Sequence, residues 1–251
     1  MTALVILGCD SVMPATISGG YVRNLWVRLI HSHMSALERI REKPVSHLRP
    51  GSDPDKRMLR REFLVVRSRL TADDVRETAS ALAARALELP ELAHARTVAA
   101  YVSVGSEPGT LALLDALHAR GVRVLLPVLL ADNDLDWGAY AGQGSLARVR
   151  HGGKMALLEP AGTRLGPSAV LGADAVLLPG LAVDSRGMRL GRGGGSYDRV
   201  LARLERAGVD PALVVLLYDT EVVDRVPEEP HDRPVHAAVT PSGVRRFRAA
   251  S

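Results

Sequence analysis

The spacing of apolar residues changes near residue 53. Before that point they are scattered, with one run, residues 27–41, that would suit a short helix. The segment ends in Leu48-Arg49-Pro50-Gly51-Ser52-Asp53-Pro54, rich in backbone breakers. Residues 1–54 therefore read as a poorly ordered extension and residues 55–248 as the folded domain. Asp53 is placed to cap a helix whose first position is Pro54, a favoured start. Leu59, Phe63, Val66 and Leu70 then recur at helical spacing and predict one buried stripe. That leaves Lys56 and Arg60, one turn apart, on a common exposed side. Thr71-Ala72-Asp73-Asp74 has the form of a capping box and starts a second helix running to about Leu87.

Beyond Pro90 the pattern alternates between compact apolar runs and helical spacing. Residues 97–103 read as a buried strand, 110–120 as a helix stopped by Gly121, and 123–128 as the next strand, a βαβ unit. Residues 135–140 alternate like an edge strand, with Trp137 assigned to sheet packing. Residues 173–178, 213–217 and 237–240 supply further strands, and 196–207 a helix. Strands alternating with helices predict an α/β fold, a three-layer sandwich whose mostly parallel sheet carries helices on both faces. In such sheets ligands bind beyond the carboxyl ends of strands. The loops holding Glu107, residues 184–197 and the segment after Leu217 all leave such ends.

Composition narrows the function. Of 251 residues, 47% are apolar, enough for a sizeable core, and the net charge of +4 comes from arginine, the only lysines being Lys43, Lys56 and Lys154. With no basic block and few aromatic residues, nothing marks a nucleic-acid surface. In so arginine-biased a chain, Lys56 and Lys154 hint at a need for compact point charges. The lone Cys9 excludes an internal disulfide and a cysteine-rich metal site. No run is long enough to span a membrane, and the apolar stretch before Cys9 is too short for an export signal, so a cytoplasmic protein is expected.

The most informative stretch is Arg189-Leu190-Gly191-Arg192-Gly193-Gly194-Gly195-Ser196-Tyr197-Asp198. Glycines just before a helix let backbone N–H groups approach an anion and aim the helix start at it. Arg189 and Arg192 can pair with phosphate oxygens, and Asp198 is placed to hold magnesium beside them. The competing reading is a flexible turn with surface arginines. It is not a Walker A loop, since Gly152-Gly153-Lys154-Met155 lacks the hydroxyl. Nor is it a dinucleotide fingerprint, because the glycine spacing is wrong and a turn, Asp184-Ser185-Arg186-Gly187, intervenes.

Together with Leu177-Leu178-Pro179-Gly180-Leu181-Ala182-Val183-Asp184, this stretch closely resembles the signature of the 5-formyltetrahydrofolate cyclo-ligase (5,10-methenyltetrahydrofolate synthetase) family. Other landmarks follow in order: Lys56-Arg57-Met58-Leu59-Arg60, Tyr101-Val102-Ser103 with Glu107 and Thr110, Leu158-Glu159-Pro160, and His231-Asp232 with Val239-Thr240. The resemblance spans residues 56–247. It implies ATP- and magnesium-dependent closure of 5-formyltetrahydrofolate to the 5,10-methenyl form, with ADP and phosphate released.

By the same resemblance, Lys56, Arg57, Arg60, Arg189, Gly191, Arg192, Gly193, Gly194, Gly195, Ser196 and Tyr197 meet ATP. Val102, Glu107, Arg192, Gly193, Gly194, Gly195 and Ser196 meet the folate, Glu107 accepting from the pterin N–H groups. Arg192 and Tyr197 are the catalytic candidates, and Asp198 and Asp232 the magnesium ligands. The expected partners are these small molecules only, with no nucleic acid or membrane, in a monomer or weak homo-oligomer.

Ser196 stands where the family usually has a tyrosine, and His236 where it often has an acidic residue. Those departures keep a second reading open, a catalytically silent nucleotide- or folate-binding regulator. Each residue also has a plainer reading. Glu107-Pro108-Gly109 would be turn chemistry with Thr110 as helix cap, Tyr197 a core residue, and Asp232 a loop terminator. Glu159-Pro160 is read as turn geometry, and His231 is left without a role.

Overall fold

The computed structural model describes residues 56–152, 155–230 and 232–247. The extension 1–54 with its run 27–41, the Asp53 cap, Lys154 and His231 lie outside the described residues. The helices are α1 (Lys56–Arg67), α2 (Ala72–Ala86), the short α3 (Pro90–Ala93), α4 (Leu111–Ala119) and α5 (Ser196–Arg206). The strands are β1 (Thr97–Ala99), β2 (Arg123–Leu129), β3 (Leu135–Ala139), β4 (Leu146–His151), β5 (Met155–Pro160), β6 (Ala175–Pro179), β7 (Ala182–Val183), β8 (Arg189–Leu190), β9 (Ala212–Leu216), β10 (Ala237–Thr240) and β11 (Gly243–Arg246).

A seven-stranded sheet runs in the order β11-β10-β9-β6-β1-β2-β3. Its interior pairings, β10 with β9, β9 with β6, β6 with β1 and β1 with β2, are parallel. An antiparallel strand closes each edge, β11 beside β10 and β3 beside β2. The parallel strands are buried on both faces, which is why they read as continuous apolar runs. On one face Leu82 and Ala86 of α2 and Leu113 and Leu117 of α4 pack on Val98, Leu177 and Val214. On the other, Val200, Leu201 and Leu204 of α5 pack on Val176, Leu178 and Val215 with Trp137, which is fully buried. The three-layer sandwich expected from the alternation is therefore the observed architecture.

Local signals hold where they are self-contained. Thr71 Oγ1 accepts from Asp74 N at 3.2 Å, and Asp74 Oδ2 accepts from Thr71 N at 2.9 Å, completing the capping box of α2. Other expectations need correction. The first strand ends at Ala99, and the chain then leaves the sheet rather than continuing to residue 103. Thr110 does not cap α4 with its side chain; its hydroxyl accepts from Ser103 N at 2.9 Å and braces the loop instead. In α1 the deeply buried positions are Leu59, Phe63 and Arg67, while Val66 and Leu70 stay half-buried. Leu59 and Phe63 pack on Leu181, Ala182, Leu190 and Val226, so α1 docks on the β7–β8 hairpin. The β4–β5 hairpin was not anticipated. Glu159-Pro160 ends β5 rather than forming a turn, and Pro160 packs so closely on Gly138 of β3 that a Cβ there would lie 2.6 Å from its ring.

Candidate active site

Strands β1 and β6 are parallel neighbours, yet the chain passes from β1 toward β2 on one side and from β6 toward β9 on the other. Loops that leave such a pair in opposite directions open a crevice at the carboxyl ends of the strands. The loop after β1 brings Tyr101, Val102 and Glu107 to that crevice, and the chain after β6 brings the glycine run. Between them lies a cavity of about 380 Å³. Its walls include Val102, Glu107, Arg189, Gly191, Arg192, Gly193, Gly194, Gly195, Ser196, Tyr197 and Asp198, so most of the predicted site residues do converge. Leu129, Leu157 and Leu158 complete an apolar side that was not foreseen, with Glu159 beside them.

Glu107 is nearly buried, and both of its oxygens are engaged. Oε2 accepts from Val104 N at 2.9 Å and Oε1 from Arg192 Nη1 at 3.0 Å. The glycine run needs its composition: Gly193 and Gly195 have φ of +89° and +76°, left-handed values that side chains strain to adopt. Arg60 lies across this loop, its Nε donating to Gly191 O at 2.9 Å and its guanidinium 3.2 Å from where a Cβ on Gly193 would stand. Gly195 precedes α5 without a side-chain cap, so no capping oxygen claims the first amides of the helix, whose residues Ser196, Tyr197 and Asp198 line the cavity.

Asp198, in the first turn of α5, accepts from Arg189 Nη2 at 3.1 Å, and Arg189 Nη1 donates to Pro179 O at 3.0 Å. Burial pulls the Arg189 guanidinium down and Asp198 opposes it; it stays charged, as guanidinium does in proteins. The hydroxyls of Tyr101 and Tyr197 are buried with no hydrogen-bond partner among the described residues. Burial, with Glu107 nearby, pushes both well up, so both are neutral donors. Unpaired buried donors at a cavity wall suit a ligand carrying polar acceptors.

A second, open cavity of about 580 Å³ adjoins the first and is lined by Arg57, Arg60, Arg61, Leu64, Val65, Ser68, Arg192 and Gly193. Arg192 and Gly193 line both cavities and form the partition between them. Lys56 lines neither, and it is not the exposed cation that helical spacing suggested. Its side chain is 14% exposed, and Nζ lies 2.5 Å from Asp232 Oδ2 and 2.8 Å from Glu229 Oε2. Burial pulls its ammonium down, but the bonds to Asp232 and Glu229 outweigh that and hold it above its ordinary value. The two aspartates expected to share magnesium thus each face a cation, Arg189 or Lys56. Among the described residues no group of three His, Cys, Asp or Glu side chains is placed to hold a metal ion.

Beneath the crevice is a feature that sequence reasoning missed. Arg67 is fully buried and pairs with Glu221 through Nε at 2.6 Å and Nη2 at 2.8 Å. Nη2 also donates to Gly180 O at 2.6 Å, tying α1 to the end of β6. The guanidinium stacks over Tyr218, 5.6 Å from the ring centre, and Tyr218 Oη donates to Ser106 O beside Glu107. Glu159, also buried, accepts from Leu129 N at 3.0 Å and contacts His151 Nε2 at 2.7 Å, fixing the β4–β5 wall to β2. The Gly152-Gly153 pair, between the alternating residues 146–151 and the apolar run that follows, was a hairpin signal for that wall.

An α/β sheet with an anion-adapted glycine loop at its switch point and an acid in the facing loop defines a ligand-handling enzyme fold. Residues 52–241 match the profile of the 5-formyltetrahydrofolate cyclo-ligase family. The chain is 44% identical over 153 residues to a 5-formyltetrahydrofolate cyclo-ligase of Mycolicibacterium smegmatis, covering 58% of this chain and 74% of that one. It is 34% identical to the Escherichia coli K12 protein of the same name, over 71% of this chain and 96% of that one. Among solved structures, Aquifex aeolicus 5,10-methenyltetrahydrofolate synthetase superposes with a TM-score of 0.64 at 28% identity, over 78% of this chain and 94% of that one. The chain belongs to the 5-formyltetrahydrofolate cyclo-ligase family and is an enzyme of that kind.

Proposed function

We propose that residues 55–248 form the catalytic domain and convert 5-formyltetrahydrofolate to 5,10-methenyltetrahydrofolate, consuming ATP with magnesium and releasing ADP and phosphate. The observation that carries this reading is the partition: Arg192 and Gly193 stand between an apolar cavity ending in Glu107 and a cavity walled by arginines. A reduced pterin suits the first. Its amino and ring N–H groups match the Glu107 side-chain oxygens, and its polar acceptors match the Tyr101 and Tyr197 hydroxyls. A triphosphate suits the second, where Arg57, Arg60 and Arg192 present guanidinium groups beside the glycine amides.

In this reading the N5-formyl oxygen, at the partition, attacks the terminal phosphorus of ATP and ADP departs. The formyl carbon then bears a phosphate leaving group. N10 attacks that carbon and loses its proton, and phosphate leaves with the former formyl oxygen. The protein's task is positioning and charge neutralisation. Arg192 follows the charge as it moves from nucleotide to phosphorylated folate, and the hydrogen bond from Tyr197 orients the reacting end. Asp198, part-exposed on the cavity wall, would hold magnesium as one of the one or two carboxylates such an ion takes, and Asp232 is the second carboxylate in this reading. When bound, magnesium would shield the phosphate charges. No helix of the described residues is long and apolar enough to cross a membrane, in keeping with a cytoplasmic site of action.

The test is an absorbance assay for the methenyl product with purified protein. Product should form only when ATP and magnesium are both supplied. Folded protein that binds either ligand without turnover would refute the proposal.

A further inference from the structure

The bond between Arg192 and Glu107 joins a residue of the partition to the acid at the foot of the apolar cavity. Glu107 Oε2 accepts from Val104 N, and Arg192 occupies Oε1, the oxygen without a backbone partner. The carboxylate is 9% exposed, so few water molecules compete for it, whereas the guanidinium is 47% exposed and free to turn outward. Arg192 is carried by the glycine loop, next to left-handed Gly193. Arg192 also lines the arginine-walled cavity, with Gly193 beside it and the remaining residues from α1 and Ser68 just past its end.

We propose that the Arg192–Glu107 pair is a latch that makes the two substrates bind cooperatively. This rests on the reading above, in which the cavities take folate and nucleotide. A pterin that bonds to Glu107 displaces Arg192, which then turns to the phosphates. Conversely, a triphosphate that draws Arg192 away uncovers the Glu107 oxygen for the pterin. Either substrate alone must break the pair; the second to arrive finds it broken. Linkage makes the gain equal in both directions.

Titration calorimetry with the β,γ-imido analogue of ATP plus magnesium, with and without 5-formyltetrahydrofolate, measures this directly. The analogue should bind roughly 5- to 20-fold more tightly to the folate-loaded protein, a coupling in the ordinary range. Glu107→Gln, which weakens the pair, should tighten analogue binding in the absence of folate. In an Arg192→Ala background the same substitution should change nothing. If Glu107→Gln tightens binding there too, simple repulsion between carboxylate and phosphate explains the effect and the latch is wrong. Wild-type protein that binds neither ligand would overturn the substrate assignment itself. Protein that binds both with independent affinities would overturn only the latch.

Discussion

Two arginine–glutamate pairs flank the crevice, made from the same side chains and differing in burial. Arg67 and Glu221 are 1% and 2% exposed, and Glu221 also accepts from Tyr218 N. Arg192 and Glu107 are 47% and 9% exposed. At the closed pair α1, the end of β6 and the segment after β9 meet, bound through Arg67 Nε and Nη2. The open pair has one buried member and one half in water on the glycine loop. A charge pair sealed from water is a structural joint, because neither partner has anywhere else to go. With one member in water, the pair can be exchanged for a ligand.

The largest effect should come from breaking the closed pair. Arg67→Met strands the Glu221 carboxylate in the interior, and losing one partner of a buried pair costs about 3–5 kcal/mol. For a domain of this size that corresponds to a fall in Tm on the order of 10 °C. The double substitution Arg67→Met, Glu221→Leu should recover much of it, since an apolar replacement of both partners leaves no buried charge. Melting curves of the two variants decide the matter. Equal melting temperatures would show that the joint is not electrostatic.

Arg192→Ala should do the opposite. With its side chain half in water, its loss should shift stability by less than about 0.5 kcal/mol. Loss of a charge-stabilising donor at a reacting group should lower turnover roughly 100- to 1000-fold. A large drop in Tm with modest loss of activity would reverse the assignments of the two pairs.

Asp198→Asn tests a third acid, one that faces both a buried cation and the cavity. The amide keeps an acceptor for Arg189 but loses the charge suited to magnesium. The expected result is a magnesium requirement raised roughly 10-fold, about 1.4 kcal/mol of lost affinity, with folate binding retained. An unchanged magnesium profile would remove Asp198 from the metal site.

The contrast between the pairs also explains what the sequence could disclose. The capping box of α2 lies within one turn of chain, and the glycine run is demanded by local backbone geometry at Gly193 and Gly195. Both are legible from neighbours. The parallel strands are legible because burial on two faces leaves them almost wholly apolar, with polar residues such as Thr97, Arg123 and Thr240 only at their ends. Arg67 is not: its spacing from Leu59 and Phe63 puts it on the buried stripe, but its charge assigns it to water, and its partner is 154 residues away. The burial of Lys56 escaped for the same reason, its acceptors Glu229 and Asp232 lying far along the chain. The β4–β5 wall was obscured because Arg148 and Arg150 interrupt its apolar residues. Its anchoring, through Glu159 to Leu129 N and Pro160 onto Gly138, exists only in three dimensions.

The smallest expected effect concerns a pair of intermediate burial. Asp134, in the turn between β2 and β3, accepts from Arg203 of α5 at 2.6 Å, the two side chains being 15% and 17% exposed. Its neighbour Asn133 lines the cavity, so this bond holds α5 against the rim. The Arg203 hydrogen bond, partly offset by burial, keeps the Asp134 carboxyl below the usual carboxylate range. Unfolded, the group titrates near about 3.9. Between the two pKa values the unfolded chain binds more protons, so stability rises with pH through that window. The contribution is complete above the unfolded value and is lost as pH falls through the folded one. Asp134→Asn should therefore cost about 1 kcal/mol at neutral pH, measured by urea unfolding. The difference from wild type should shrink as the pH falls below about 4. A difference that stays constant with pH would show that the bond acts through shape alone, placing this pair with neither the closed nor the exchangeable kind.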